Sequence, residues 1–144
     1  MSFADQFLHK MDTGIPGHPS GEFHEFSFPG KTSDMTLADL GDWGLKIAGW
    51  ESYWLSVSAL LEGEFVEIKE AFEIGIFRYA EEKMSVKAVE YNATQKDENM
   101  KKAKLKMIKL KSEIAVADKM VASFKILREA LSREQSRRAQ ELAV

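Results

Sequence analysis

Two long stretches of this chain repeat apolar residues at helical spacing, and the two repeats differ in period. Stepping by threes and fours from Trp43 meets Ile47, Trp50, Trp54, Val57, Leu61, Phe65, Ile68, Phe72, Ile76 and Tyr79. Those ten steps cover 36 residues, 3.6 per step, the period of a straight α-helix. From Ala103 the steps reach Met107, Leu110, Ile114, Ala117, Val121, Phe124, Arg128 and Leu131, eight steps in 28 residues, or 3.5 per step. That is a heptad with one polar break at Arg128, the pattern of a left-handed coiled-coil seam.

The flanks of both repeats carry boundary signals. Thr36 with Asp39 three residues on predicts a capping box at the start of the first helix. Gly41, Gly44, Gly49 and Gly63 each weaken that helix by up to about 1 kcal/mol relative to Ala, and a kink is expected near Gly41 or Gly44. Between the repeats, residues 81–99 are polar. Ser85 is placed to cap a short helix from Val86 to Tyr91, and the last long helix begins at Asn92-Ala93-Thr94 or at Asp97.

Ahead of the first helix the pattern is irregular. Residues 1–33 hold all three prolines, all three histidines and five of the nine phenylalanines, Phe3, Phe7, Phe23, Phe26 and Phe28. The breaker cluster from Gly14 to Gly21 makes this an arm. A short helical turn is expected over residues 2–10 and an extended piece over residues 22–28.

The fold expected is therefore all-α. An elongated antiparallel helical hairpin, a coiled-coil-like bundle, occupies residues 36–144, and an irregular Phe-, Pro- and His-rich arm occupies residues 1–35. Residues 37–80 as one helix would extend about 66 Å, against a radius of gyration of roughly 15 Å for a compact globule of this length. The core or oligomer seam is expected to comprise Trp50, Trp54, Leu61, Phe65 and Phe72 from the first helix, facing Met107, Leu110, Ile114, Val121 and Phe124. Tyr53, Leu60 and Phe77 lie off the main stripe. The surplus aromatic surface is covered by the arm or by another copy of the chain, and a homo-oligomer is expected.

Charge changes the picture more than composition does. At 144 residues and 44% hydrophobic content the chain has the make-up of one ordinary globular domain, with a net charge of −3. Residues 1–91 carry 7 Lys or Arg against 16 acids, and residues 92–144 carry 13 against 7, so the two parts are −9 and +6. Six of the cations, Lys101, Lys102, Lys104, Lys106, Lys109 and Lys111, fall within eleven residues, and no acid lies between Asn99 and Ser112. Because Ala103, Met107, Leu110 and Ile114 belong to the seam, these lysines form its shoulders.

Two readings of the run stand side by side. In one, the six lysines contact phosphates, extended by Arg128, Arg133, Arg137 and Arg138, with Tyr91 or Phe28 available to stack on bases. In the other, the lysines pair with the chain's own Glu64 to Glu73 face. A reversal near residue 90 puts Glu73 opposite Met107, Glu70 opposite Leu110 and Glu67 opposite Glu113. A reversal near residue 95 brings only Glu81, Glu82 and Glu90 near.

Other chemistry is sparse. There is no cysteine, hence no disulfide or thiolate site, which fits a cytoplasmic setting. His9, His18 and His24 match no metal-ligand spacing, and the repeated glutamates from Glu62 to Glu73 read as a solvated or ion-paired helix face. No phosphate-cradling loop or nucleophile triad is visible, so no enzyme, metal or cofactor is expected. The N-terminal residues have neither a basic nor an apolar signal region, and no secretory signal is expected. The longest uncharged apolar-rich stretch, Ser52 to Leu61, is half of what a bilayer needs, so no membrane span is expected. An anionic-membrane surface binder is disfavoured because the basic helix has no Trp and one Phe.

The order of parts carries one resemblance. An aromatic-rich helix ending in Arg78-Tyr79 is followed by a polar linker, a lysine-rich helical start and an aliphatic helix closing in Leu127-Arg128-Glu129-Ala130-Leu131-Ser132-Arg133-Glu134. Over roughly residues 50–138 this resembles the small recombination mediator proteins of tailed bacteriophages. The resemblance implies an all-helical oligomer that binds single-stranded DNA and helps load a RecA-type recombinase onto strands coated by single-strand-binding protein, in the host cytoplasm. It places Lys101, Lys102, Lys104 and Lys106 at the DNA. The arm of residues 1–33 has no counterpart in that family, and a coiled-coil structural, scaffolding or adaptor protein shares the same layout.

Overall fold

The computed structural model describes residues 30–143. The turn expected over residues 2–10, the extended piece over residues 22–28, and His9, His18 and His24 lie outside the described residues. Among the described residues the fold is all helical, with three α-helices and no strand. The helices are α1 (Leu37–Ile76), α2 (Val86–Lys96) and α3 (Glu98–Leu142), with single 3₁₀ turns at Thr32–Asp34 and Phe77–Tyr79.

Each helix starts on a side-chain cap. At the head of α1 the Asp39 amide donates to Thr36 Oγ1 at 3.1 Å and the Thr36 amide donates to Asp39 Oδ2 at 3.2 Å, the reciprocal capping box. Ser85 Oγ accepts from the Ala88 amide at 3.2 Å and starts α2, which runs on to Lys96, five residues past Tyr91. Asp97, with extended backbone angles, ends α2, and its Oδ1 accepts the Asn99 amide at 2.9 Å to start α3. Helix α1 runs without interruption through Gly41, Gly44, Gly49 and Gly63. One fully buried large side chain stabilises by about 1.5–3 kcal/mol, more than one such glycine removes, so the burial of the stripe sets the outcome.

The described residues divide into two compact units, Ser58–Val116 and the residues before and after that span, and both α1 and α3 contribute to each. In the unit formed by the chain's two ends, Leu40, Ile47, Trp50, Tyr53, Trp54 and Val57 of α1 are buried together with Ala117, Phe124 and Leu131 of α3. The Trp50 and Phe124 rings lie 6.2 Å apart and 8° from parallel, and Tyr53 meets Trp50 and Trp54 edge-on. Val121 is half-buried beside this core.

The Ser58–Val116 unit is built around Phe72, Ile76, Val89, Ala93 and Met107, with Phe65, Ile68, Tyr79, Met84, Met100 and Ala103 packed against them. Leu61 and Leu110 are also buried there, and Ile114 is half-buried. A Cβ on Gly75 would sit 2.7 Å from Met100 Sδ, so a side chain there would make the end of this methionine shift. The junction is pinned by polar contacts: Tyr79 Oη donates to Asp97 Oδ2 at 2.8 Å and Asn92 Nδ2 donates to the Tyr79 carbonyl at 3.3 Å. That hydroxyl, followed by the Asn99 amide, lowers the Asp97 carboxyl, and the same bond raises the Tyr79 phenol. Lys83 takes the left-handed backbone conformation, φ 65°, in the turn before Ser85.

Two substitutions test this account. Phe124→Ala removes the ring stacked on Trp50 and leaves a cavity, and should lower unfolding free energy by about 3–5 kcal/mol in urea titrations followed by circular dichroism. Gly44 lies in the interior of α1, and a Cβ added there would meet nothing within 4 Å, so Gly44→Ala should raise stability by about 0.5–1 kcal/mol in the same titration.

Candidate functional site

The basic run occupies the first turns of α3, inside the Ser58–Val116 unit. Helix period splits it into faces. Ala103, Met107 and Leu110 turn inward, while Lys101, Lys102, Leu105, Lys106, Ile108, Lys109 and Lys111 are exposed and Lys104 is half-buried. Cations in the first turn oppose the helix dipole, and Asp97 and Glu98 at the same end offset part of that cost.

The six lysines have different surroundings. Lys104 Nζ is ion-paired with Glu90 of α2 and stands 5.9 Å from the Phe72 ring centre. Lys106 Nζ lies 3.3 Å from Glu64 Oε1 of α1. Lys111 Nζ stands 5.7 Å from the Phe65 ring centre, within cation–π range. Lys109 is also engaged. Lys101 and Lys102 carry no ion pair among the described residues. The facing acids are thus Glu64, from the Glu64 to Glu73 face expected to pair internally, and Glu90, expected near the run for a reversal at residue 95; Glu67, Glu70 and Glu73 hold none of these lysines. Helix α2 supplies Glu90; Phe72 packing with Met107 and Lys111 over Phe65 lie close to the register of a reversal near residue 90, and Lys106 reaches along α1 to Glu64.

The four arginines lie in the unit formed by the chain's ends. Arg128, the polar break in the heptad, holds Glu51 through two bonds, Nε to Oε2 at 2.9 Å and Nη2 to Oε1 at 3.3 Å. Arg137 and Arg138, expected at a polyanion, converge on the buried Glu134, each donating to Oε1 at 2.7 Å. Arg137 also pairs with Glu141, and Arg138 Nη2 donates to the Thr32 carbonyl at 3.3 Å and to that of Met35. This cluster ties the end of α3 to the segment leading into α1. Arg133 is exposed, with no ion pair among the described residues. Glu134 escapes the apolar pattern because the heptad count places it beside the seam; the signal for it was a glutamate followed at i+3 and i+4 by two arginines.

Two shallow pockets lie in the same unit, the first of them reaching the basic run at Lys104. One of about 400 Å³ is lined by Lys87, Glu90, Tyr91, Thr94 and Lys104, and one of about 410 Å³ by Glu73, Ile76, Phe77, Ala80, Met84, Val86 and Val89. The first joins cations to an exposed tyrosine; the second is apolar with one carboxylate. Among the described residues no group of three His, Asp or Glu side chains is placed to hold a metal ion, and no helix is long and apolar enough to cross a membrane. Comparison with protein-family models, with characterised proteins and with solved structures finds no match to this chain.

Arg137 first, then Arg138, hold the Glu134 carboxyl down to about 2 from an ordinary value of 4.5. A depressed carboxyl stabilises the fold above the unfolded-state range and loses that contribution as pH falls through the folded value. Glu134→Gln should therefore melt below the parent chain at neutral pH, with the gap closing between about pH 4.5 and pH 2 in thermal scans. A gap independent of pH would mean that the glutamate acts there by shape alone.

Proposed function

We propose that this chain is a non-enzymatic scaffolding or adaptor protein, an antiparallel coiled-coil-like pairing of α1 with α3 that works by binding another protein. The observation that carries this reading is the internal engagement of its cations. Lys104 and Lys106 hold Glu90 and Glu64, Arg128 holds Glu51, and Arg137 and Arg138 hold Glu134. The Ser58–Val116 unit that contains the basic run carries 11 Lys or Arg and 11 Asp or Glu, and is neutral overall. A neutral unit has little long-range pull on a polyanion.

One observation favours a second reading, in which the chain binds single-stranded DNA as an accessory factor that loads a RecA-type recombinase. Lys101 and Lys102 are exposed without an ion pair among the described residues, and Tyr91 is exposed in a pocket with Lys87 and Lys104, an arrangement suited to phosphate contact and base stacking.

Anisotropy of a labelled single-stranded oligonucleotide separates the two. The adaptor reading expects a dissociation constant weaker than about 10⁻⁶ M at about 50 mM salt, unchanged in Lys101→Ala/Lys102→Ala. Tighter binding that falls steeply with salt and is lost in the double variant would replace it with the nucleic-acid reading.

A further inference from the structure

The two long helices of the Ser58–Val116 unit each expose a face on the side opposite their buried stripe, and the two faces have opposite charge. On α1, Leu61, Phe65, Ile68, Phe72 and Ile76 turn inward, and on the outer side, about 120–160° around the helix, lie Val66, Glu70 and Ile74, with Glu67 beside them and Glu62 and Glu73 nearer the seam. Val66 is 50% and Ile74 71% exposed, and Glu62, Glu67 and Glu70 carry no ion pair among the described residues. On α3, opposite Met107 and Leu110, lie Lys101, Lys102, Leu105 and Ile108, with Leu105 57% and Ile108 52% exposed. Each face is thus an aliphatic pair bordered mainly by charges of one sign, with Glu98 at the N-terminal edge of the α3 face as the exception.

We propose that the acidic, aliphatic face of α1 in one copy of this chain is the docking surface for the basic, aliphatic face of α3 in a second copy. The proposal rests on the protein-binding reading above and names the partner. Three features select a second copy over a foreign occupant. Glu62, Glu67 and Glu70 border the α1 face and Lys101 and Lys102 the α3 face, so the charge on each face finds its complement on the other face of an identical molecule. The aliphatic residues on both faces gain by burial against apolar surface, which a phosphate backbone does not offer. A polyanion satisfies only the α3 face and is repelled by α1, whereas further copies of the chain offer a complement to each face, one neighbour per face.

Each such contact uses α1 of one copy and α3 of the other, so each copy keeps its remaining face, α3 in the first and α1 in the second, for a further copy. The ion pairs at its border fix orientation and make association sensitive to salt, while the aliphatic pairs supply most of the affinity.

Charge reversal on each face gives the test, read by sedimentation velocity of the full chain over a concentration series at low salt. The parent chain should self-associate. Glu67→Lys/Glu70→Lys should weaken self-association at least about tenfold, and so should Lys101→Glu/Lys102→Glu, because each places like charges across the contact. Mixing the two variants should restore association, and so should all four substitutions in one chain, since both arrangements rebuild opposite charges at every contact. Circular dichroism of each variant confirms that these exposed changes leave the helices intact. A parent chain that stays monomeric across the series, or single-face variants that associate like the parent, overturns the proposal. So does a monomeric parent whose α3 face instead takes up an oligonucleotide or anionic vesicles, an outcome that also sinks the adaptor reading. A monomeric parent that binds neither removes the second copy as partner and leaves the adaptor reading intact.

Discussion

Burial of aromatic and aliphatic side chains between α1 and α3 is the interaction on which every other feature of this protein depends. In one unit it centres on Trp50, Trp54 and Phe124, in the other on Phe72, Ile76 and Met107. Each such side chain stabilises by about 1.5–3 kcal/mol, and an exposed ion pair by well under 1, so the apolar stripes determine how the helices rotate and the charges follow. The fate of the lysines is a consequence of that rotation. With Ala103, Met107 and Leu110 turned inward, Lys104 and Lys106 emerge at the two edges of the seam, where Glu90 and Glu64 stand. Lys101 and Lys102 emerge on the far side, away from those acids.

The same constraint explains the polar residues close to the seam. Arg128 interrupts the heptad, yet its guanidinium reaches Glu51 bidentately, so its stem can lie along the apolar surface while its charge is matched. Glu134 is buried and would be costly alone; two arginines share its carboxylate, and one of them also satisfies the carbonyls of the segment leading into α1. Because Glu134, Arg137 and Arg138 lie within two turns of α3, the helix itself holds most of the network in place. The segment before α1 then docks against a preformed set of donors.

Much of the helical content was legible in the sequence, for a physical reason: both stripes have the period of the structure they form. The cap at Thr36 and Asp39 was legible because a capping box is local, and so was Ser85. The length of α2 was harder, since residues 92–96 are polar apart from Ala93 and their helical state depends on Ala93 packing with Phe72 and Met107, a tertiary fact. The glycines of α1 weaken the helix on propensity alone, yet it stays helical through all of them, because stripe positions such as Ile47, Trp50, Trp54, Val57 and Leu61 are buried. Least legible was which acid meets which lysine. That depends on helix register and on a third helix supplying Glu90, and neither is encoded in the spacing of the lysines themselves.

Charge asymmetry along a sequence and charge asymmetry in space are different quantities, and only the second acts on a partner. Residues 1–91 and 92–144 carry −9 and +6, but folding places the acidic half of α1 beside the basic start of α3 in a unit of zero net charge. The long-range field largely cancels, and what survives is a polarity across the unit, acid on one helix and base on the other. A partner with charge of one sign gains on one side what it loses on the other. A partner with the same polarity gains on both, and such a partner needs no design beyond that of the chain itself. The exposed aliphatic residues at Val66, Ile74, Leu105 and Ile108 sharpen the point: at polar-bordered positions they have no role in the core, and in the proposed contact their burial would supply the affinity that screened surface charges lack.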